Sequence, residues 1–571
     1  MSVKDVSMHH ILDIQELSVR FGNTQAVNQI SLKLPRGKTL GIVGESGSGK
    51  SVTALSIMQL LPKGAVTEGK ILFQPGEDKA SVNLAGLSEN DLTRVRGKSI
   101  SMIFQEPMTS LNPVFKCGIQ VTEAIQHHKN VGFKAARSEV LHLFEQVKLP
   151  DPERIFNAFP HQISGGQKQR VMIAMAMSCQ PDLIIADEPT TALDVTVQRS
   201  ILELLCELKE SAGLSMIFIS HDLGVISEIC DEVAVMYRGN LVEEGAVKDV
   251  FNHPKHAYSR GLVACRPDPD RQMKRLPTVG DFLENRTFDA SVTGREEILA
   301  RRQQLYSQKP LLNAEAISIS YPRRKNWYGK VVDWMNAVDQ VSFDIYPGET
   351  FGLAGESGCG KTTLGRTIAR LAGTFTGNIT YNGQQVSQLT EAQFKPFRKE
   401  IQVVFQDPYS SLNPRMTIGA AIEEPLEVHQ LHGNKESRRE KTIELLQTVG
   451  LQPEHYQRYP HEFSGGQRQR ICLARALAPE PRFLICDEMV SALDVSVQAT
   501  ILNLLKDLQE QFGLTLLFIS HDLGVIRQMC DRLMVMKSGR TEATGFPDEL
   551  YGNPPTDYIR NLIESVPGRR L

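Results

Sequence analysis

No stretch of this 571-residue chain runs to about 18 consecutive apolar residues, so nothing in the sequence reads as a membrane-spanning helix. No Cys-x-x-Cys pair occurs among its nine cysteines and their spacing is irregular. That leaves neither a disulfide framework nor a zinc site to read, and reduced thiols in a reducing compartment are expected. Met1–His10 is polar and lacks the apolar core of a secretory signal. There is no basic excess either: 63 lysines and arginines face 66 acidic residues, a formal net charge of -3. That balance argues against a strongly basic nucleic-acid binder, while leaving room for a local basic patch. The composition is 41% apolar and 23% charged, that of an ordinary globular protein, and the length exceeds what one core fills, so two or three domains are expected.

The chain does contain a repeat. Phe218–Ile226 and Phe518–Ile526 both read FISHDLGVI, 300 positions apart. Ser164-Gly165-Gly166-Gln167 recurs as Ser464-Gly465-Gly466-Gln467 at the same offset, and Asp187-Glu188 recurs as Asp487-Glu488. Upstream, Gly44–Ser51 (GESGSGKS) recurs as Gly355–Thr362 (GESGCGKT) with the lysines 311 apart, so the halves differ by small insertions ahead of the motif block, one of them in the second half at Pro322–Met335. Both copies fit G-x-x-x-x-G-K-[ST]. Each follows a buried-strand run (Thr39–Val43 in the first) and precedes a helical pattern, the context that makes the pattern a phosphate site. Gly44, Ser46, Gly47 and Gly49, like Gly355, Ser357, Gly358 and Gly360, let backbone N–H groups curl around phosphates at a helix N-terminus. Lys50 and Lys361 would reach the β- and γ-phosphates, and Ser51 and Thr362 would hold Mg²⁺.

Each half opens on strand-like alternation (Ile14–Phe21; Ala316–Tyr321) and passes through the phosphate loop. A stretch of helical periodicity follows, about Leu87–Pro160 and Leu389–Pro460. A buried strand then leads into the acidic pair, a helix (Val195–Ser211; Val495–Gln511) and a strand ending at histidine. Strands alternating with helices predict an α/β fold on a parallel sheet, with the helical stretch as an inserted subdomain. The expected organisation is a first domain over 1–266, a linker over 267–310 and a second domain over 311–571. Pro267, Pro269 and Pro277 break the start of the linker, Arg295–Gln308 has the pattern of a polar helix, and the whole is expected to pack loosely on the surface.

The apolar strands Leu183–Glu188 and Phe483–Glu488 end in two carboxylates, which a strand delivers to the sheet edge where the phosphate loop sits. Asp187 and Asp487 are placed to hold Mg²⁺ through water; Glu188 and Glu488 are placed to polarise a water for in-line attack. Ser164 and Ser464 have the position of helix N-caps, with glycines exposing backbone N–H groups to an anion.

Together these residues resemble the ABC-type ATPases: phosphate loop, glutamine turn (Gln105; Gln406), SGGQ signature, acidic pair, A-L-D loop ending at Asp194 and Asp494, and switch histidine (His221; His521). The resemblance covers nearly the whole chain apart from the linker. It implies two tandem P-loop domains facing head to tail, with ATP between the phosphate loop of one half and the signature of the other. Lys50 would then work with Ser464–Gln467 and Lys361 with Ser164–Gln167. The glutamates would be the bases, the histidines would contact the γ-phosphate, and Asp194 and Asp494 would cross the interface. Gln105 and Gln406 would join Ser51, Asp187, Thr362 and Asp487 around Mg²⁺. Phe21 and Tyr321 fall where that family stacks an aromatic on adenine, with an aromatic in a strand core as the alternative for each.

A narrower resemblance rests on Gln105–Pro113 and Gln406–Pro414, both Q-[DE]-P-x-x-S-L-N-P, and on His256–Leu262 (HAYSRGL). These are similar to the ATPases of dipeptide, oligopeptide and nickel importers, whose glutamine loops lie under the membrane subunits. The resemblance implies two separate permeases as partners, a substrate-binding protein acting indirectly, no second ATPase chain, and a peripheral place on the cytoplasmic face of the inner membrane. Some relatives carry a cysteine cluster after the first half; only Cys265 stands here, so no iron–sulfur cluster is expected. Val52 takes the place held by Thr363, Met489 that of Pro189, and Cys359 sits inside the second loop, where a small residue is a simpler reading than a redox switch. Two other readings share the same engine. A soluble twin ATPase on ribosomes or nucleic acid is disfavoured by the mixed-charge linker and by S-L-N-P loops that have no role there. An exporter or regulatory module with one dead site is disfavoured by two intact glutamates and two intact signatures.

Overall fold

A computed structural model describes residues 10–76, 79–105, 110–190, 193–268, 270–289, 291–328, 330–491 and 493–568. The chain divides into two compact units. One comprises Met1–Ala264 with Val279–Arg286 and Pro567–Leu571; the other comprises Cys265–Thr278 with Thr287–Val566.

In the first unit the strands are β1 (His10–Phe21), β2 (Thr24–Pro35), β3 (Thr39–Val43), β4 (Ala65–Phe73), β5 (Val82–Asn83), β6 (Ile100–Ile103), β7 (Leu183–Asp187), β8 (Ser215–Ile219), β9 (Glu232–Tyr237) and β10 (Asn240–Ala246). They build two sheets. The larger has the order β10-β9-β3-β8-β7-β6 and is parallel except at the β9–β10 edge. Every residue of β3, β7 and β8 is buried, as expected of strands covered on both faces. The smaller sheet, β2-β1-β4-β5, is antiparallel, and its alternating apolar residues Ile14 and Ile30 join Ile42, Ile185 and Ile219 of the larger sheet in one core. The opening alternation therefore belongs to a separate antiparallel layer. The helical stretch is also not helical throughout. Ile100–Ile103 is β6, paired with β7, before the helices Cys117–Lys129, Phe133–Gln146 and Pro152–Asn157. A strand of four residues, three of them buried, carries too little periodicity to announce itself.

The second unit repeats the plan with β11 (Leu312–Lys325), β12 (Val331–Ile345), β13 (Thr350–Ala354), β14 (Phe375–Tyr381), β15 (Gln384–Gln385), β16 (Ile401–Val404), β17 (Phe483–Asp487), β18 (Thr515–Ile519), β19 (Arg532–Lys537) and β20 (Arg540–Gly545). Its sheets run β12-β11-β14-β15 and β16-β17-β18-β13-β19-β20. The insertion at Pro322–Met335 is the extended tip of the β11–β12 hairpin, where β1–β2 turns at once between Phe21 and Thr24.

Loose packing of the linker is corrected by the structure. Leu276 is buried, and both of its backbone groups bond the Asn503 amide: its N–H donates to Oδ1 at 3.0 Å, and its carbonyl accepts from Nδ2 at 2.7 Å. Met273 is held in the same double fashion by Gln528 at 3.0 and 2.7 Å, and Arg275 forks onto Asp507. The polar helix forms over Arg295–Tyr306, with Leu305 buried and Arg301 paired to Asp531. Residues 273–276 are thus strapped to the second unit by partners more than 220 positions downstream.

Candidate nucleotide sites

The phosphate loops sit where β3 and β13 turn into the helices Lys50–Ile57 and Lys361–Ile368. Gly44 has φ +151°, and a Cβ there would lie 2.1 Å from the Met236 carbonyl oxygen, so no side chain fits; Gly355 meets Met536 at 2.3 Å in the same way. Gly49 and Gly360 cap their helices in the left-handed region, at φ +102° and +107°. Ser46-Gly47 and Ser357-Gly358 form the exposed crests of the loops. The lysines are buried and curl back on the loops. Lys50 Nζ donates to the carbonyls of Gly44 and Glu45 at 2.7 and 2.9 Å, and Lys361 does the same to Gly355 and Glu356 at 2.7 and 2.9 Å. Each ammonium is therefore held against backbone carbonyls of its own loop.

The acidic strands arrive beside the loops as expected. Ser51 Oγ donates to Asp187 Oδ1 at 3.1 Å, and Thr362 Oγ1 to Asp487 Oδ1 at 2.7 Å. Burial pushes the Asp187 carboxyl up to about 6; the Ser51 bond opposes this, Glu188 adds to it and Lys50 opposes it. Asp487 is raised too, by burial, against the Thr362 bond and the Arg366 guanidinium 3.9 Å away. Its Oδ2 is buried with no hydrogen-bond partner. A hydroxyl beside a buried carboxylate, present at Ser51–Asp187 and at Thr362–Asp487, is a donor set that suits a hard divalent cation, so Mg²⁺ fits both pairs.

One step along each strand the glutamate is clamped. Gln105 Nε2 donates to Glu188 Oε2 at 3.1 Å and His221 Nδ1 lies 3.1 Å from the same oxygen. Gln406 and His521 stand 2.8 and 3.3 Å from Glu488 Oε2. Glu188 and Glu488 hold φ of +47° and +48°, an uncommon backbone for a residue with a side chain. At Glu488 burial works upward, but the His521 bond and charge prevail and hold the carboxyl below its ordinary value; His521 is raised in return, against its burial. Both glutamines thus bond the glutamates in this structure, one residue along from the carboxylates expected to hold the metal.

The signature serines cap their helices: Ser164 Oγ accepts from Gln167 N–H and Gln167 Oε1 accepts from Ser164 N–H, and Ser464 with Gln467 repeats it. Gly166 is glycine because a Cβ would lie 2.7 Å from Val197, and Gly466 meets Val497 at 2.3 Å. That contact seats the signature helix on the helix begun by Asp194, whose carboxylate caps the Val197 N–H at 2.9 Å. Asp494 takes the same N-cap position without that bond. Gly165 and Gly465 lie at the first helical position of each. Phe21 is half-buried and packs on the core, while Tyr321 is 37% exposed. Val52 also packs on the core; Thr363 occupies its place in the second helix. Cys359 is buried, its Sγ 3.8 Å from Lys361 Nζ, and burial pushes its thiol up, away from the reactive thiolate. Of the Gln105–Pro113 loop, residues 106–109 lie outside the described residues, as do Ala192 and Ala492 of the A-L-D loops.

One contact lies beyond what the motifs implied. Tyr258, fully buried, accepts the Glu45 N–H of the phosphate loop on its hydroxyl at 3.0 Å, and Tyr558 accepts the Glu356 N–H at 3.4 Å. The two tyrosines are 300 apart, the offset of the motif block, and that spacing is the signal that pairs them.

Two phosphate-loop sites of one design, each with its own acid pair, glutamine and histidine, stand in one chain. The ABC transporter family profile matches residues 27–191 and again 338–491. This chain belongs to the ABC transporter family. A second profile, the oligopeptide/dipeptide transporter C-terminal region, matches residues 242–287, which include Tyr258. Among curated proteins, the glutathione import ATP-binding protein GsiA of Pectobacterium atrosepticum is 43% identical over 570 residues, 98% of this chain and 89% of that one. GsiA of Salmonella typhimurium is 44% identical over 571 residues, covering 99% and 90%. GsiA of Escherichia coli O6:H1 is 45% identical over 568 residues, covering 98% and 89%. Among solved structures, the dimeric bacterial ABC transporter cassette MJ0796 aligns with 28% identity and a TM-score of 0.38, over 41% of this chain and 98% of that one. The chain is an ATP-binding subunit of an ABC importer, an ATPase coupled to transport; a soluble ATPase of ribosomes finds no support among these relatives. Among the described residues no helix is long and apolar enough to cross a membrane.

Proposed function

We propose that this chain powers the uptake of small peptides of the glutathione class through two separate permeases, from the cytoplasmic face of the inner membrane. The observation that carries it is the likeness to GsiA over nearly the full length of both proteins, coupled to two complete sets of site residues. Each ATP lies between the phosphate loop of one half and the signature serine of the other, Lys50 with Ser464 and Lys361 with Ser164. Lys50 and Lys361 release their loop carbonyls to phosphate. Ser51 and Asp187, or Thr362 and Asp487, with Gln105 or Gln406, would hold Mg²⁺, which would supply neutralisation of charge on the phosphate oxygens. Glu188 and Glu488 orient the attacking water, His521 favours the ionised Glu488 carboxylate, and His221 and His521 reach for the γ-phosphate. Phe21 and Tyr321 stack on adenine, and Asp194 and Asp494 complete the opposite site. The Gln105–Pro113 and Gln406–Pro414 loops pass closure to the permeases, and a substrate-binding protein delivers the cargo.

The test is uptake of labelled glutathione and of di- and tripeptides by cells carrying Glu188→Gln with Glu488→Gln. The double variant is expected to bind ATP and stop uptake. Unchanged uptake would sink the transport reading; uptake of other peptides but not glutathione would correct the cargo.

A further inference from the structure

The chain holds two tryptophans, Trp327 and Trp334, and both lie on the hairpin tip that the first half lacks. Trp327 is 85% exposed, Tyr328 75% and Trp334 58%, with Val332 and Met335 also exposed. Rings of this size ordinarily bury their area, and solvent-facing clusters of them mark an interaction surface. The register separates this surface from the nucleotide. Tyr321 pairs with Met335 across the ribbon, so the two share a face; Trp334 is the next residue and pairs with Pro322 on the opposite face. Trp334 therefore does not extend the adenine platform. Trp327 and Tyr328 sit at the turn itself, ring centroids 3.6 Å apart.

Charge narrows the partner. From Pro322 to Met335 the sequence has Arg323, Arg324, Lys325 and Lys330 against the single acid Asp333, in a chain whose overall charge is -3. Arg323 pairs with Asp333 at 3.8 Å, and Lys330 is exposed. The tip is a two-stranded ribbon that exposes aromatic rings, with the exposed Lys330 beside them. Tryptophan and tyrosine beside lysine and arginine are the side chains that partition to the headgroup layer of a bilayer: rings at the apolar boundary, cations on anionic lipid.

We propose that the Pro322–Met335 hairpin tip is a membrane-surface anchor that seats Trp327, Tyr328 and Trp334 among the headgroups of an anionic bilayer. It fixes the second half at the membrane independently of the permease loops, and it goes beyond the transport reading, since it holds whatever the cargo.

Because both tryptophans lie on the tip, the intrinsic tryptophan emission of the full chain reports this hairpin alone. The experiment adds vesicles of phosphatidylcholine, with or without phosphatidylglycerol, to the intact protein in the absence of permeases. Phosphatidylglycerol vesicles are expected to shift the emission to the blue, and acyl-chain-brominated lipid to quench it, with binding that weakens as salt rises. Arg323→Glu with Lys330→Glu keeps both fluorophores and is expected to abolish the shift. Trp327→Ala with Trp334→Ala is expected to lower vesicle co-sedimentation at least about ten-fold, with the basal ATPase unchanged as the check on folding. No shift with anionic vesicles, or equal binding to neutral ones, would overturn the proposal. A shift that arises only in proteoliposomes containing the permeases would overturn it in favour of a protein contact. Failure here leaves glutathione uptake untouched, so it is distinguishable from failure of the transport reading.

Discussion

The two halves set the same five groups in the same places, yet they differ in what surrounds them. In the first half Asp187 is bonded by a serine at 3.1 Å and burial lifts its carboxyl to about 6. In the second half a threonine bonds Asp487 at 2.7 Å and Arg366 adds a cation 3.9 Å away, at a position that is Leu55 in the first half by the loop offset. Both opposing influences favour the ionised acid that a metal needs. The second half also has Thr363 for Val52, a linker strapped across its helices, and an extended hairpin. Duplicating a site does not oblige the two copies to work equally. Here the chemistry is repeated, and the second copy carries the additions.

The largest test of that inequality is to silence one glutamate at a time. Removing a positioned base costs about 10²–10⁴-fold at its own site. Residual phosphate release by the whole chain then reports the intact site. Glu188→Gln, which spares the second half, is expected to retain more turnover than Glu488→Gln. Equal residual activities would break the comparison, and near-zero activity in both would show that neither site turns over alone.

The second test concerns the strap. Asn503→Ala leaves the buried N–H and carbonyl of Leu276 without partners. An unsatisfied buried group costs about 1–3 kcal/mol, so a loss of about 2–4 kcal/mol in denaturant unfolding is expected. The matching residue of the first half, Glu203, makes only an exposed pair with Arg199, and Glu203→Ala is expected to change stability by less than about 0.5 kcal/mol. A similar effect at both positions would mean the linker contributes nothing.

These tests also mark where the sequence was legible. The phosphate loops, acid pairs, signatures and histidines were readable because each is a short run whose chemistry depends on neighbours in the chain. The 300-residue offset made each of them count twice. The strap was not readable, because Leu276 shows its burial only once Asn503, 227 positions later, is folded against it. The strand Ile100–Ile103 is defined by pairing with β7 rather than by its own pattern. Tyr258 lies within the HAYSRGL motif but has no role until the fold brings its hydroxyl to Glu45, 213 positions away. Local chemistry was visible; partners at long range were not.

Tyr258 gives the third test. Its bond to the phosphate loop is 3.0 Å, and the Tyr558 counterpart is 3.4 Å. A hydrogen bond of this kind is worth about 1 kcal/mol, roughly five-fold in an equilibrium constant. Tyr258→Phe is expected to weaken ATP binding about five-fold in nucleotide titrations of the glutamate-silenced protein, and Tyr558→Phe by less. The reverse order would mean that these tyrosines act through packing.

The smallest effect separates the halves by pH. Asp231 caps the Thr39 N–H and pairs with Lys38 and Lys209, whereas Asp531 caps Thr350 and takes its cation, Arg301, from the linker helix. Burial pushes the Asp231 carboxyl up, but the Thr39 N–H and the two lysines prevail and hold it below its ordinary value. A depressed carboxylate contributes stability that is present above its unfolded pKa, about 3.9, and is lost as pH falls through the folded value. Lys209→Met removes one of the two cations from a site about a third exposed, so screening limits the loss to about 0.5 kcal/mol at neutral pH. That difference should shrink below about pH 4 and vanish once Asp231 is protonated in both proteins. Unfolding curves collected from neutral to acid pH would show the two proteins converging. A gap that persists at acid pH would place the contribution of Lys209 in its hydrocarbon stem rather than in its charge.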